Sequence, residues 1–427
     1  MSEEFLHYLW QNKLYTIYPL VSIQGEMIEV IHPGDINTDA GPDFFNAKIK
    51  IGETLWAGNV EIHSKASDWF VHKHQDDPNY DNVILHVIYH HDKDVVRKNG
   101  KVMPALEISC TEDILSRYQQ LKSNVHPIAC SMQINELSGL HFSLWLERLL
   151  VERIEDKVNR IQEVLRQTTS NWDETFYRVL TRNMGFGINS SAMEQLARQT
   201  PFSVLLKYST SIFQVEAVLF GQAGLLSKEG VSDKYYLELQ KEYNYLRQKH
   251  ELKPLESHVW KFLRLRPANF PTIRLSQLAQ LVVKIKGLFG QLLEGEDLKD
   301  IFRLLTVSAS DYWTSHHQFG KDSPELEKKL GGKSQELIVV NTLLPYLFAY
   351  GHSFGESHYQ QKALAWYEKM KPEKNKIVAM WSDMGVRIEN AGDAQAAIFL
   401  YNSYCKPKKC LQCRIGHQLL ATRSEMV

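Results

Sequence analysis

Residues 41–89 read GPDFFNAKIKIGETLWAGNVEIHSKASDWFVHKHQDDPNYDNVILHVIY, and this stretch decides the fold of the N-terminal part. Two segments, 44–51 and 55–63, alternate apolar with polar residues, which is typical of half-buried β-strands. The residues between them, Gly52-Glu53-Thr54, are few and include a glycine. This spacing predicts a β-hairpin.

The rest of the N-terminal part supplies further elements. Residues 64–74 predict a short helix, and residues 83–89 predict a strand that is apolar on both faces and therefore covered on both sides. An amphipathic segment around residues 5–10 predicts a helix ahead of the hairpin. Residues 21–31 predict another hairpin, and residues 102–109 a last strand. The order is therefore helix, strands, helix, strand.

Two acidic residues lie where the ends of the predicted hairpin strands meet. Side chains alternate along a strand, so Glu61 and His63 share one face while Val60 and Ile62 share the other. Asp43 begins the preceding strand, and a hairpin brings its carboxylate towards that of Glu61. Neighbouring carboxylates repel each other unless a cation lies between them, and hard cations such as magnesium prefer oxygen ligands. The pattern predicts a divalent-cation site.

After about residue 114 the hydrophobic period changes to that of helices. Apolar residues recur at steps of three and four from 142 to 165, which predicts a long amphipathic helix. We expect an α+β protein with three parts: a β-rich core at 1–112 with a mixed sheet and flanking helices, an all-helical region at 113–402 packed against it, and a cysteine-containing basic segment at 403–427.

The order of the N-terminal elements resembles the αβββαβ core of the PD-(D/E)XK nuclease superfamily. In that family an Asp and a Glu-x-Lys motif hold divalent metal and activate water. The resemblance implies that Asp43 and Glu61 are metal ligands and catalytic residues in a restriction-endonuclease-like fold. His63 stands where the family usually has lysine, as a general base or metal ligand, and Lys65 is the nearest lysine that could substitute.

Nearly the whole chain also resembles a bacterial family catalogued only as a domain of unknown function. This resemblance brings no established activity. The matching segments are GPDFFNAKI, WAGNVEIHSKASDW, ILHV, RPANFPTIRLSQLA and YCKPKKCLQCRIG.

Histidines close to the predicted carboxylate site open an alternative to magnesium. His72, His74 and His86 lie near His63 in sequence, and imidazole is a common ligand of zinc and manganese. His86 lies inside an apolar strand, where a hydrogen-bonded core histidine is the competing interpretation. His72 and His74 could instead decorate an exposed helix end.

Three of the five cysteines are clustered near the C-terminus. Cys405, Cys410 and Cys413 have the spacing C-x4-C-x2-C among lysines, which favours binding of zinc or an iron–sulfur cluster. A fourth ligand is missing locally unless His417 supplies it. Otherwise a distant cysteine, Cys130 or Cys110, would complete the site. Three free thiols in a solvated basic tail are the alternative.

An arginine-rich stretch in the helical region could contact phosphate. Arg264, Arg266 and Arg274 surround two prolines in LRLRPANFPTIRL, and guanidinium groups bind phosphate through a bidentate fork. A rigid turn whose arginines pair with local carboxylates and helix C-termini is the competing interpretation.

Composition limits the function classes. The 427-residue chain has a net charge of −1, so it lacks the basic balance of a protein that coats DNA, whereas an enzyme needs only a local basic strip. The N-terminus lacks the pattern of a signal peptide, and no apolar stretch approaches the roughly 20 residues that span a bilayer. We expect a cytoplasmic protein without membrane attachment.

These observations lead to two functional hypotheses. The first is a metal-dependent phosphodiesterase that acts on DNA, with magnesium or manganese at Asp43 and Glu61 and with His63 or Lys65 assisting. The second is a non-catalytic module with a nuclease-like fold that serves binding or assembly. An arginine paired with Glu61 in a closed cleft would favour the second hypothesis.

Overall fold

The structure is a computed structural model that describes residues 1–15, 18–134 and 139–421. The protein is α+β and divides into two compact units. A sheet unit comprises residues 1–145 and 400–427, and a helical unit comprises residues 146–399.

Residues 1–123 contain the strands of the sheet and the helices around it. In chain order the elements are α1 Glu3–Gln11, β1 Leu20–Val21, β2 Met27–His32, β3 Asp35–Ile36, β4 Phe44–Ile51, β5 Thr54–Lys65, α2 Asp68–Val71, β6 Val83–His90, β7 Ala105–Glu107 and α3 Glu112–Ser123.

Helices account for nearly all regular structure in the remainder. They are α4 Gly139–Gln167, α5 Trp172–Met184, α6 Ser190–Gln199, α7 Phe202–Lys207, α8 Ile212–Gln222, α9 Lys234–Lys249, α10 Pro271–Glu294, α11 Leu298–Leu305, α12 Gly332–Ile338, α13 Leu344–Phe354, α14 Ser357–Lys369, α15 Lys376–Asp383, α16 Ala391–Leu400 and α17 Arg414–Ala421. A small hairpin, β8 His316–Gln318 and β9 Lys321–Asp322, interrupts them.

The seven-stranded mixed sheet has the order β1-β2-β4-β5-β6-β7, and β3 pairs with β4. The strands from β1 to β5 pair antiparallel, whereas β5, β6 and β7 run parallel. The backbone N–H of Ile23 donates to the carbonyl of Ala105 at 2.8 Å. Since Ile23 follows β1 and Ala105 begins β7, the two edges approach each other and the sheet is nearly a closed barrel.

The hairpin prediction is confirmed, because Ile51 pairs with Thr54 and leaves Gly52 and Glu53 as the turn. Two neighbouring elements are shorter than predicted. The helix expected over residues 64–74 is reduced to α2, because Lys73 has a left-handed φ of 61° that ends the helical path. The strand expected over residues 102–109 is reduced to the three residues of β7.

The α3 helix and the C-terminal segment belong to the sheet unit. Tyr118 of α3 stacks on Phe5 of α1 with ring centroids 4.0 Å apart. Arg117 donates through Nη1 to the carbonyl of Leu419 in α17 at 2.9 Å. These contacts bind both ends of the chain to one core, which explains why the unit extends beyond the last strand.

One helix departs from the expectation that no apolar stretch approaches the length of a membrane span. The continuous helix over Gly332–Phe354 has 23 residues and a mean hydropathy of 1.3 in its most apolar window. Within that window 61% is buried inside the structure. Such burial is the behaviour of a core helix in a globular protein.

Candidate functional site

The hairpin brings Asp43 and Glu61 together at one end of β4 and β5. Phe44 pairs with Val60, so the residue before β4 lies beside the residue that follows Val60. The backbone N–H of Asp43 donates to Glu61 Oε2 at 3.1 Å, and the backbone N–H of Ile62 donates to Asp43 Oδ2 at 2.9 Å. These reciprocal hydrogen bonds fix both carboxylates at the same end of the hairpin.

Four histidines surround Glu61. The parallel pairing of β5 with β6 places His86 opposite Glu61, and His86 Nε2 shares a hydrogen bond of 2.9 Å with His63 Nδ1. His63 Nε2 lies 3.1 Å from His72 Nδ1, and His74 Nε2 lies 3.1 Å from Glu61 Oε1. One nitrogen from each of His63, His72 and His74 lies within 4.8 Å of the other two.

Two further residues complete the cluster, and the sequence interpretation did not include either. His7 of α1 places Nε2 3.2 Å from Asp43 Oδ2. Tyr80 stacks on His74 with ring centroids 3.8 Å apart. His7 lies on the helix that packs on β5, and Tyr80 lies in the loop before β6. Neither residue belongs to a motif, so a single sequence holds no signal for them.

Burial keeps the inner histidines neutral. It lowers the pKa of His63 to about 2, with further lowering by the charges of His86, His74, His72 and His7. Burial also lowers the pKa of His86 to about 3. Both rings are therefore neutral at pH 7, which is the form of imidazole that binds metal.

The pKa values of Glu61 and His7 are both raised, for different reasons. Burial raises the pKa of Glu61, and hydrogen bonding to His74 offsets this only in part. Burial acts to lower the pKa of His7, but the hydrogen bond to Asp43 and the negative charges of Asp43, Glu3 and Glu61 together outweigh it, and the pKa is raised. His7 therefore holds a proton more readily than a free histidine does.

The cluster is closed on one side and reachable from the other. The side chains of Glu61 and His63 are 5% and 1% exposed, whereas those of Asp43 and His7 are each 24% exposed. His72 is exposed. Among the described residues the ion pairs of Glu61 are with His63 and His74, and none is with an arginine.

The donor set could hold a transition metal. Three imidazole nitrogens beside a carboxylate suit zinc or manganese better than magnesium, which prefers an all-oxygen octahedron. The hydrogen bond between His63 Nδ1 and His86 Nε2 leaves His63 Nε2 facing His72, and an outer partner of this kind orients a metal-binding histidine. Lys65, the lysine that could replace the motif lysine of the nuclease family, ends β5. Its side chain is exposed, and its backbone N–H donates to Asp68 Oδ2 at 2.9 Å.

All five cysteines belong to the sheet unit, and four of them interact electrostatically with one another. Burial raises the pKa of Cys405, and the charges of Cys130, Cys413 and Cys410 raise it further. Burial also raises the pKa of Cys130 to about 12, with contributions from Cys413 and Cys410. All four are free thiols. Cys130, distant in sequence, thus joins the C-x4-C-x2-C segment.

Burial raises the pKa of Cys413, and hydrogen bonds to its sulfur offset this only in part. Cys413 lies at the start of α17, where the backbone N–H groups of Gly416 and Ile415 and the indole of Trp145 donate to its sulfur. Gly416 lies against the turn that carries Cys410, because an added Cβ would be 2.0 Å from the carbonyl oxygen of Cys410. This glycine holds the two cysteine-bearing segments close together.

The other two candidates for a fourth ligand lie elsewhere. His417 places Nδ1 2.8 Å from the hydroxyl of Tyr8 on α1. Cys110 is a free thiol whose pKa is raised by burial, with no effect from another cysteine. Of the candidates that the sequence left open, the structure places Cys130 beside the cluster.

The three arginines of the candidate phosphate-binding stretch have different environments in the helical unit. Arg264 and Arg266 are exposed. Arg274 is buried in the first turn of α10. The stretch therefore does not present three arginines to one surface.

Comparison with known proteins identifies the family of the chain but no relative of known activity. No curated protein matches the chain, and no solved structure matches it. One family model matches residues 3–376, and its description is "Protein of unknown function (DUF2851)". Since this match covers most of the 427 residues, the chain belongs to the DUF2851 family.

Proposed function

We propose that this protein is a metal-dependent phosphodiesterase that acts on DNA. One observation carries the proposal: an unbroken set of contacts joins Asp43, Glu61 and the histidines 63, 72 and 74 at the end of the hairpin. A buried carboxylate beside neutral imidazole groups, with no lysine or arginine partner among the described residues, is costly unless a cation binds there.

Zinc or manganese is the cation that this donor set would select. Glu61, His63 and His74 would hold the metal from the buried side, and His72 from the exposed side. A divalent metal at this position activates water for attack and stabilises the charge that develops on a phosphoryl group. This choice differs from the magnesium site expected from the two carboxylates alone.

His7 fits the proton-transfer role better than His63 does. With a pKa near 2, His63 cannot accept a proton at neutral pH. His7 has a raised pKa, is partly exposed and is oriented by Asp43. We propose that His7 acts as a general acid and donates a proton to the leaving oxygen.

Two features support a nucleic-acid phosphodiester as the substrate class. The order of α1, the β4–β5 hairpin, α2 and β6 is similar to the core of PD-(D/E)XK nucleases, which cleave DNA. Asp43 directly precedes β4 and Glu61 lies on the antiparallel neighbour β5, and the paired acidic residues of that core likewise come from adjacent strands. DNA is therefore the first substrate to test.

Removing the metal should abolish activity. We expect protein that has been treated with a chelator to leave linear DNA intact, and we expect manganese or zinc to restore cleavage more effectively than magnesium. A gel assay with each metal at equal concentration measures this. Cleavage that survives chelation would contradict the proposal, and no cleavage with any metal would favour a binding or assembly module.

We also propose that Cys130, Cys405, Cys410 and Cys413 bind one soft metal centre. Charges among these thiols raise the pKa values of Cys130, Cys405 and Cys410, and a metal, which binds thiolates and displaces their protons, would relieve that repulsion. Nearby lysines would balance the negative charge, since Lys408 lowers the pKa of Cys410. Such a centre would fasten the C-terminal segment to the loop around Cys130.

Metal analysis of cysteine variants tests this second centre. We expect Cys130→Ser to lower the metal content of the purified protein about tenfold, because one of four ligands is lost. Cys110→Ser is the matched control and should retain the metal. Zinc is colourless, whereas an iron–sulfur cluster brings visible absorption and inorganic sulfide, so the two are distinguished directly. Equal metal content in both variants would contradict the proposal.

A further inference from the structure

Arg274 is a buried cation that has no carboxylate partner among the described residues. Its side chain, on a residue 7% exposed, donates through Nη1 to Gln277 Oε1 at 2.9 Å and through Nη2 to Asn269 Oδ1 at 2.7 Å and Ser334 Oγ at 3.1 Å. All three acceptors are neutral. The Nε–H group has no partner within the described ranges. A buried charge without a counter-charge is costly unless a ligand supplies one.

A cavity of about 190 Å³ lies beside this guanidinium. The volume of this cavity is more than ten times the roughly 15 Å³ that a single water molecule needs. Its lining combines Arg274, Asn269 and Ser334 with apolar side chains. A ligand that fits would carry a small charged head and could carry a short apolar body. The apolar lining residues include Met184, Met193, Leu265 and Leu337.

Two helices begin at the cavity, and neither has a side-chain cap. Pro271 is the first residue of the 24-residue α10, and the preceding Phe270 provides no cap. The side chain of Asn189, at the start of α6, is engaged with the backbone of Lys261 by two hydrogen bonds of 2.9 Å. Uncapped helix N-termini attract anions through their dipoles and free N–H groups.

The backbone at the edge of the cavity is strained. Phe186 has a φ of 44°, a left-handed conformation that bulky residues rarely adopt. This conformation accompanies a cation–π contact in which the guanidinium carbon of Arg274 lies 4.3 Å from the Phe186 ring centroid. Strain of this kind persists where the surrounding structure holds a functional arrangement.

We propose that this cavity of the helical unit binds a small oxyanion, either a carboxylate or a phosphate, with Arg274 as its counter-charge. The site lies outside the proposed hydrolytic centre and does not depend on it. Carboxylates and phosphates both present negatively charged oxygens in a fixed arrangement, planar or tetrahedral. A guanidinium recognises such oxygens through its directed N–H groups.

Thermal unfolding of the full-length protein tests the proposal with two probes, inorganic phosphate and butyrate, against potassium chloride at equal ionic strength. We expect at least one probe to raise the Tm of the wild type by about 2 to 4 °C at a concentration several times its Kd. Response to phosphate alone or to butyrate alone identifies the class of ligand. Arg266→Gln, an exposed arginine of the same stretch, should respond as the wild type does.

Arg274→Gln should lose this response. Because an uncompensated charge has been removed, the Tm of the variant in chloride alone should fall little or even rise. Titration calorimetry of the wild type with each anion keeps the test valid if the variant does not fold. A wild type that binds neither probe, or an Arg274→Gln variant that responds equally, would overturn the proposal.

Discussion

Glu61→Ala is expected to lower the rate of metal-dependent DNA hydrolysis by about 10³-fold or more. The carboxylate of Glu61 contacts His63 and His74 and accepts the backbone N–H of Asp43. Its removal takes away one proposed metal ligand and frees Asp43 at the same time. We therefore expect both the affinity for metal and the rate at saturating metal to fall.

The design of this experiment separates chemistry from folding. Glu61→Gln keeps the shape of the side chain and an acceptor for the N–H of Asp43 but removes the charge, so it should fold well and still lose activity. Glu53→Gln is a matched control, because Glu53 is fully solvated in the turn of the same hairpin, with its side chain 98% exposed. Equal cleavage by the wild type and Glu61→Ala would end the catalytic assignment.

The elements nearest in sequence were predictable because local rules determine them. Alternation over residues 44–51 and 55–63 defines the hairpin, and hairpin pairing alone brings Asp43 near Glu61. The apolar run over residues 83–89 defines β6, and β6 brings His86 to His63. In each of these cases a short-range pattern determines which groups meet.

Other parts of the site depend on tertiary contacts or irregular backbone that no pattern encodes. Asn46 has a φ of 58°, and the pairing of β4 with β5 shifts register between Phe44 and Ala47. If side chains are assigned to alternate faces of the strand without allowing for this bulge, every residue beyond the bulge is assigned to the wrong face of the sheet. His7 reaches Asp43 only because α1 packs on β5.

The fourth cysteine shows the same limit over a longer distance. The interval between Cys405, Cys410 and Cys413 indicates a metal centre, but it leaves Cys130, Cys110 and His417 equally eligible. In the folded protein Cys130 lies close enough to Cys405 to raise its pKa, which makes Cys130 the candidate for the fourth ligand. The separation of residues 130 and 405 in sequence gives no sign of this proximity.

The largest effect on stability is expected at Glu216 in the helical unit. Glu216 is fully buried in α8. Its carboxylate accepts hydrogen bonds from Ser276, from Tyr235 and, at 3.0 Å, from Ser310 Oγ. These partners come from α10, α9 and the loop before the β8–β9 hairpin, so one carboxylate joins three segments.

We expect Glu216→Ala to lower the free energy of unfolding by about 3 to 5 kcal/mol, because it leaves buried hydroxyl groups without an acceptor and opens a cavity. Differential scanning calorimetry should show a Tm lower by about 10 °C for a unit of this size. Glu238→Ala is the control, since Glu238 is exposed on α9 and makes only a 3.8 Å ion pair with Lys234. A change within 0.5 kcal/mol for both variants would contradict this account.

The pH dependence of Glu216→Gln distinguishes the charge of this carboxyl group from its hydrogen bonds. Burial raises the pKa of Glu216, and hydrogen bonds from Ser276, Tyr235 and Ser310 offset this only in part. The folded protein therefore keeps the proton to higher pH than the unfolded chain does, so this group loses stabilising effect as pH rises from about 4.5 through the folded pKa. Relative to Glu216→Gln, the wild type should be more stable at pH 5 than at pH 8. Urea unfolding at both pH values measures the difference, and a difference that is independent of pH would show that the charge is compensated in the folded state.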